Sequence, residues 1–153
     1  MRTLIFLKPN HFRAMKLFLL FLVTCLFSSP LLSQTSSLTV TFKFAGITEG
    51  YDHTCKTQAW MDESLLGESA EVIESRGGSF SVSVPYGEQT IRIINQALFE
   101  GEWEDHTIEN NYSIDCLWEG SHTFGKKANK LFLLYDLDAG TLASWKKMPK
   151  PSK

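Results

Sequence analysis

"SFSVSVPYGEQTIRI", Ser79 to Ile93, decides the fold class. Phe80, Val82 and Val84 alternate with serines, so an extended chain sets three apolar side chains on one face and hydroxyls on the other. Pro85-Tyr86-Gly87 then interrupts the run, because proline fixes one backbone dihedral and glycine supplies a conformation other residues avoid. Gly77-Gly78 punctuates the near side in the same way. The pattern resumes at Thr90, so the stretch predicts two strands joined as a hairpin.

The same rule extends outward. "LTVTFKF" (Leu38–Phe44) alternates Leu38, Val40, Phe42 and Phe44 with polar residues, and a register slip of one would expose all four. Further strands are expected at Cys55–Met61, Thr90–Phe99, Asn111–Trp118, Leu131–Leu137 and Thr141–Trp145. The run "LFLLYDL" (Leu131–Leu137) is apolar on both faces, as suits a central strand covered on each side. "LLGESAEVIES" (Leu65–Ser75) fits either period, but Gly67 counts against a helix, leaving a strand or edge segment. Seven or eight short strands separated by Gly- or Asn-rich turns predict an all-β, antiparallel β-sandwich.

The Ser79–Ile93 stretch resembles transthyretin-like and carboxypeptidase-regulatory-like sandwich domains, in which an alternating strand ends in Pro-x-Gly and the next strand begins at once. An Ig-like sandwich has a similar strand count. What the resemblance implies is a non-catalytic module of an exported protein, binding or structural in role, with no active-site motif to carry over.

Export is also expected from the opening of the chain. Arg13 and Lys16 precede the apolar run "LFLLFLVTCLF" (Leu17–Phe27), followed by the small-residue stretch "SSPLLSQ". This is the layout of a secretory signal peptide over residues 1–33, initiating at Met15 and cleaved before Gln34. The run is too short to span a bilayer, so no stable membrane insertion is expected after cleavage. Lipidation at Cys25 is the weaker alternative, since Thr24 precedes it and apolar residues follow. A secreted or periplasmic domain over residues 34–145 and a basic tail, "KKMPKPSK" (146–153), complete the expected organisation.

Loss of the leader removes Arg2, Lys8, Arg13 and Lys16 and no acid, leaving seventeen acidic residues against eleven basic ones. That acidity excludes binding to a phosphate backbone. A protein or glycan partner is compatible with it.

Cys55 and Cys116 remain, and an even count in an oxidising compartment predicts a disulfide. Closing so long a loop is worth about 4 kcal/mol in the chain-entropy model. "YDHTC" (Tyr51–Cys55) and "WEDHTIENNYSIDC" (Trp103–Cys116) each place Asp-His-Thr ahead of one of these cysteines. The expected binding residues are Asp52 and His53 in the first segment, with Trp103, Glu104, Asp105 and His106 in the second. The alternative function is a metal-dependent or hydrolytic enzyme using His53 and His106. Against a metal, the spacings H-x-C and H-x9-C match no recurrent zinc pattern, so no metal and no cofactor are expected. Against a triad, Asp, His and Thr at adjacent positions point apart in a strand. "DLDAGT" (Asp136–Thr141) has calcium-loop oxygens but lacks the distal Glu, and reads as a turn. Trp60, Trp118 and Trp145 are assigned to the core.

Overall fold

A computed structural model describes residues 34–48 and 50–152. The expected signal peptide, its start at Met15 and the Cys25 anchor lie outside the described residues. Among them the chain is all-β, with ten strands in two sheets. The strands are β1 (Thr35–Ala45), β2 (Thr54–Met61), β3 (Ser64–Glu68), β4 (Val72–Ile73), β5 (Gly78–Pro85), β6 (Gly87–Phe99), β7 (Glu102–Asp105), β8 (Leu117–Phe124), β9 (Asn129–Asp136) and β10 (Gly140–Ser144). One sheet runs β10-β9-β1-β5; the other runs β3-β2-β6-β7, with β4 on β2 and β8 on β6. No helix among the described residues is long and apolar enough to cross a membrane.

The period-2 reading holds in β1, β5 and β6. Leu38, Val40 and Phe42 are fully buried, as are Val84, Ile91 and Ile93. On the outer face, Thr39 faces Ser81 at 2.9 Å and Thr41 faces Ser79 at 3.1 Å, hydroxyl to hydroxyl across the β1–β5 ladder. β9 lies between β10 and β1 and buries Leu133 and Leu134, which point to opposite faces. The β1–β9 pairing is parallel, the exception in an otherwise antiparallel molecule. Gly78 is small for a packing reason: a Cβ there would sit 2.7 Å from the Phe42 ring.

Three expectations need correction. The Pro85-Tyr86-Gly87 break does not make a hairpin, because β5 pairs with β1 in one sheet and β6 with β2 in the other. It is a corner between sheets, with Gly87 at φ +104 and the Tyr86 N–H donating to the Gln34 carbonyl at 2.8 Å. The strand expected at Asn111–Trp118 begins only at Leu117; the residues before it form a loop containing a 3-10 turn at Ile108–Asn110. Leu65–Ser75 divides into edge strand β3, the short β4 and a 3-10 turn at Glu74–Arg76.

The tail is not a frayed end through Ser152. The Ser152 N–H and hydroxyl donate to one carboxylate oxygen of Asp136 at 2.6 and 2.9 Å. These bonds, the backbone one foremost, hold the Asp136 carboxyl below the usual carboxylate range. The neighbouring turn is closed by Ala139 N–H to the Asp136 carbonyl at 3.1 Å, so Asp136–Thr141 is the β9–β10 turn. Trp118 and Trp145 meet edge to face at 5.9 Å and pack against the core, which Trp60 does not join, and His122 stacks on Trp145 at 3.9 Å.

Candidate functional site

The site arises where β6 changes partner. β8 covers one edge of β6 from Gly87 to Ile94, and β7 covers the same edge from Gln96 to Phe99. At the handover the chain leaves after His106 and returns at Cys116. Three backbone bonds clamp this mouth: His106 N–H to Asn95 O (2.8 Å), Asn95 N–H to Cys116 O (2.9 Å) and Cys116 N–H to His106 O (2.8 Å). Within the excursion Asp115 accepts from the Ile108 N–H at 2.9 Å. Asn111 takes the left-handed conformation (φ +67), which its short polar side chain tolerates. The chain reverses there and folds Tyr112 back over His106, with ring centroids 4.2 Å apart.

On β7 the alternation of faces sorts the expected binding residues. Trp103 and Asp105 take one face: Lys56 Nζ lies 4.8 Å over the Trp103 ring, and Asp105 accepts from Gln96 Nε2 at 2.9 Å. Trp103 is therefore half-buried and engaged within the protein, not the open aromatic platform expected. Glu104 and His106 take the other face and line a pocket of about 690 Å³ at this end of the sandwich. His53 lines it too, edge-on to Tyr112 at 6.0 Å and to Phe99 at 6.5 Å.

Asp52 has a different task. Its carboxylate accepts the Ser75 N–H at 2.9 Å and the Ser75 hydroxyl at 2.5 Å, which together hold its pKa down. With the Glu74 N–H donating to the His53 carbonyl at 3.0 Å, these bonds fix the 3-10 turn that carries Glu74.

Glu74 is the residue the sequence concealed. It is 1% exposed, His106 is 3% exposed, and Glu74 Oε1 lies 3.1 Å from His106 Nδ1. The approach is close, but neither atom makes an aligned hydrogen bond. The other ring nitrogen, Nε2, lies outside the contact with Glu74, and His106 lines the pocket. Deeper in the same end lie further unpartnered polar atoms, Asn95 Oδ1, Tyr135 Oη and Tyr112 Oη. Burial raises the pKa of both tyrosines, and Glu104 and Glu74 add to the rise at Tyr112.

Cys55 and Cys116 are both buried and free, in place of the expected disulfide. β6 lies between them: Cys55 pairs with Ala97 on one edge, while Cys116 bonds to Asn95 on the other. Two strand spacings amount to about 9 Å, beyond the ~7 Å between Cα atoms that a disulfide spans. Burial pushes the Cys55 thiol up to about 12 and raises that of Cys116 as well, so neither is poised as a nucleophile. No group of three His, Cys, Asp or Glu side chains among the described residues is placed to hold a metal ion.

No family model matches this chain, and no curated protein does. Among solved structures it is similar to the 5-hydroxyisourate hydrolase of Klebsiella pneumoniae, at a TM-score of 0.43 and 10% identity, covering 73% of this chain and 99% of that one. This is a weak transthyretin-like relationship in outline of fold, and it transfers no residue role or activity. It does correct one expectation. The non-catalytic reading rested on such sandwiches serving as non-catalytic modules, and this one is a hydrolase, so that reading is withdrawn.

Proposed function

We propose that residues 34–152 form a small-molecule hydrolase domain in which His106 moves the proton and Glu74 holds it in place. The observation that carries this reading is the buried Glu74–His106 contact on a pocket wall, made through Nδ1 and leaving Nε2 outside it. A carboxylate behind Nδ1 favours the tautomer that leaves Nε2 free to accept, and it supports the charge on the ring once a proton arrives. Nε2 takes a proton from a bound water as that water's oxygen bonds to an electrophilic carbon. It returns the proton to the leaving atom as the second bond breaks. The Asn111 amide and Ser113 hydroxyl at the rim supply donors for the oxygen on which charge develops. Tyr112 restricts the His106 ring to one orientation by covering its face. Export of the domain belongs to the same proposal and rests on the Leu17–Phe27 leader pattern.

The test is a panel of small esters, amides and cyclic imides assayed with the wild type, His106→Asn and Glu74→Gln. The wild type is expected to hydrolyse at least one, and His106→Asn to lower kcat by about 100-fold or more with an unchanged circular dichroism spectrum. Equal rates for wild type and His106→Asn on every substrate overturn the assignment.

A further inference from the structure

The pocket's charge and surface point to the class of ligand. Among the described residues its lining holds two carboxylates, Glu74 and Glu104, and neither lysine nor arginine. Glu74 is almost wholly buried, yet Oε1 makes no aligned hydrogen bond. Leaving a buried carboxylate without a well-aligned partner is costly, so the site gains when positive charge arrives. Around these acids stand the rings of Tyr51, His53, Phe99 and Tyr112, and π faces attract positive charge in addition to apolar surface. Tyr51 is 67% exposed and Phe99 46% exposed, large apolar surface that solvates poorly and is available to cover a guest. The excess of acid over base from Gln34 onward adds a long-range attraction of the same sign.

An anionic ligand meets two carboxylates with neither lysine nor arginine beside them, only the imidazoles of His53 and His106. A neutral one gains from the rings but leaves the acids unanswered. From this we infer that the pocket takes an organic cation, a substituted ammonium with an apolar body, its charge between Glu104 and Glu74 and its body against Phe99 and Tyr112. This inference names the substrate class of the site proposed above and rests on the pocket being that site. The volume of about 690 Å³ suits a small molecule.

The test uses three molecules of one shape: phenyltrimethylammonium, its neutral isostere tert-butylbenzene, and benzoate. Each is titrated into the folded domain, with binding read from the ring resonances of His53, His106 and Tyr112. The cation is expected to bind at least about tenfold more tightly than the neutral isostere. Glu104→Gln, a half-exposed change on β7, should weaken the cation about fivefold and leave tert-butylbenzene unaffected. Added salt should weaken the cation alone. If the neutral molecule or benzoate binds as well as the cation, or if Glu104→Gln changes nothing, the ligand class is wrong while the pocket survives as a site. If none of the three moves those resonances, both the ligand class and the pocket fall, whatever the esterase panel gives.

Discussion

β6 is one strand with two different halves. From Gly87 to Ile94 it is flanked by β8 without a break, and Ile91 and Ile93 are wholly buried against the opposite sheet. From Asn95 onward the inward positions hold an amide, Ala97 and the partly exposed Phe99, and the flanking strand is the short β7. The first half gains from apolar burial at Ile91 and Ile93. The second gathers polar groups whose hydrogen bonding is incomplete, with no aligned bond at Asn95 Oδ1, Glu74 Oε1 or His106 Nδ1. Stability and chemistry are thus separated along a single strand, and the division falls where its neighbour changes. A sheet edge with one continuous partner leaves no room for the 107–115 excursion that roofs the pocket with Tyr112.

Substitution in the first half should have the largest effect. Ile93→Ala removes most of a fully buried side chain facing the opposite sheet, and about 2 to 5 kcal/mol of stability should be lost in urea unfolding. A loss below about 1 kcal/mol would erase the distinction between the halves. Replacing both members of the pocket pair should act in the opposite direction. Glu74→Leu with His106→Leu exchanges two buried polar groups for apolar ones and should hold or raise stability by about 1 to 4 kcal/mol, while abolishing hydrolysis. Each single replacement leaves the other polar group stranded and should be less stable than the double. A double variant less stable than both singles would place the pair among the stabilising contacts.

The smallest effect sharpens the contrast from a site remote from β6. Asp136 has its pKa lowered in the folded state, chiefly by the Ser152 N–H, so its contribution is complete above the ordinary carboxylate value, about 4. It is lost as pH falls below that value and through the lowered folded one. The Ser152 amide proton should therefore lose its downfield shift only in acid, with β6 resonances unchanged. Asp136→Asn should weaken that contact at neutral pH. A Ser152 resonance that does not titrate in acid removes the tail clasp.

The apolar scaffold was legible because its signal is local. In β1 and β5 each position announces its face by alternation, and the structure follows. Legibility failed where local pattern had a different cause. Tyr112, Ile114 and Cys116 alternate with polar neighbours as a strand would, but in Tyr112 and Ile114 the alternation reflects a loop tucking side chains under itself. Pro85-Tyr86-Gly87 marks a break correctly without revealing which sheet the next strand joins. That choice depends on distant partners.

The site was half visible for the same reason. The paired Asp-His-Thr segments do bring His53 and His106 to one pocket, but their aspartates go elsewhere, Asp52 to Ser75 and Asp105 to the outer face. Glu74 sits in "VIESR" with nothing to set it apart from a solvated acid. Its burial is fixed by His106, far along the chain. A glutamate directly preceded by two β-branched residues in an edge segment was the one available hint, and it is a weak one.

The parallel pairing of β1 with β9 has a consequence for synthesis. β1 leaves the ribosome before the other strands of its sheet, yet Leu38 finds its place beside Asn129 only after β9 has been made as well. Until then the four-stranded sheet stays open on the β9 side of β1, and its closure waits on a pairing of long sequence separation.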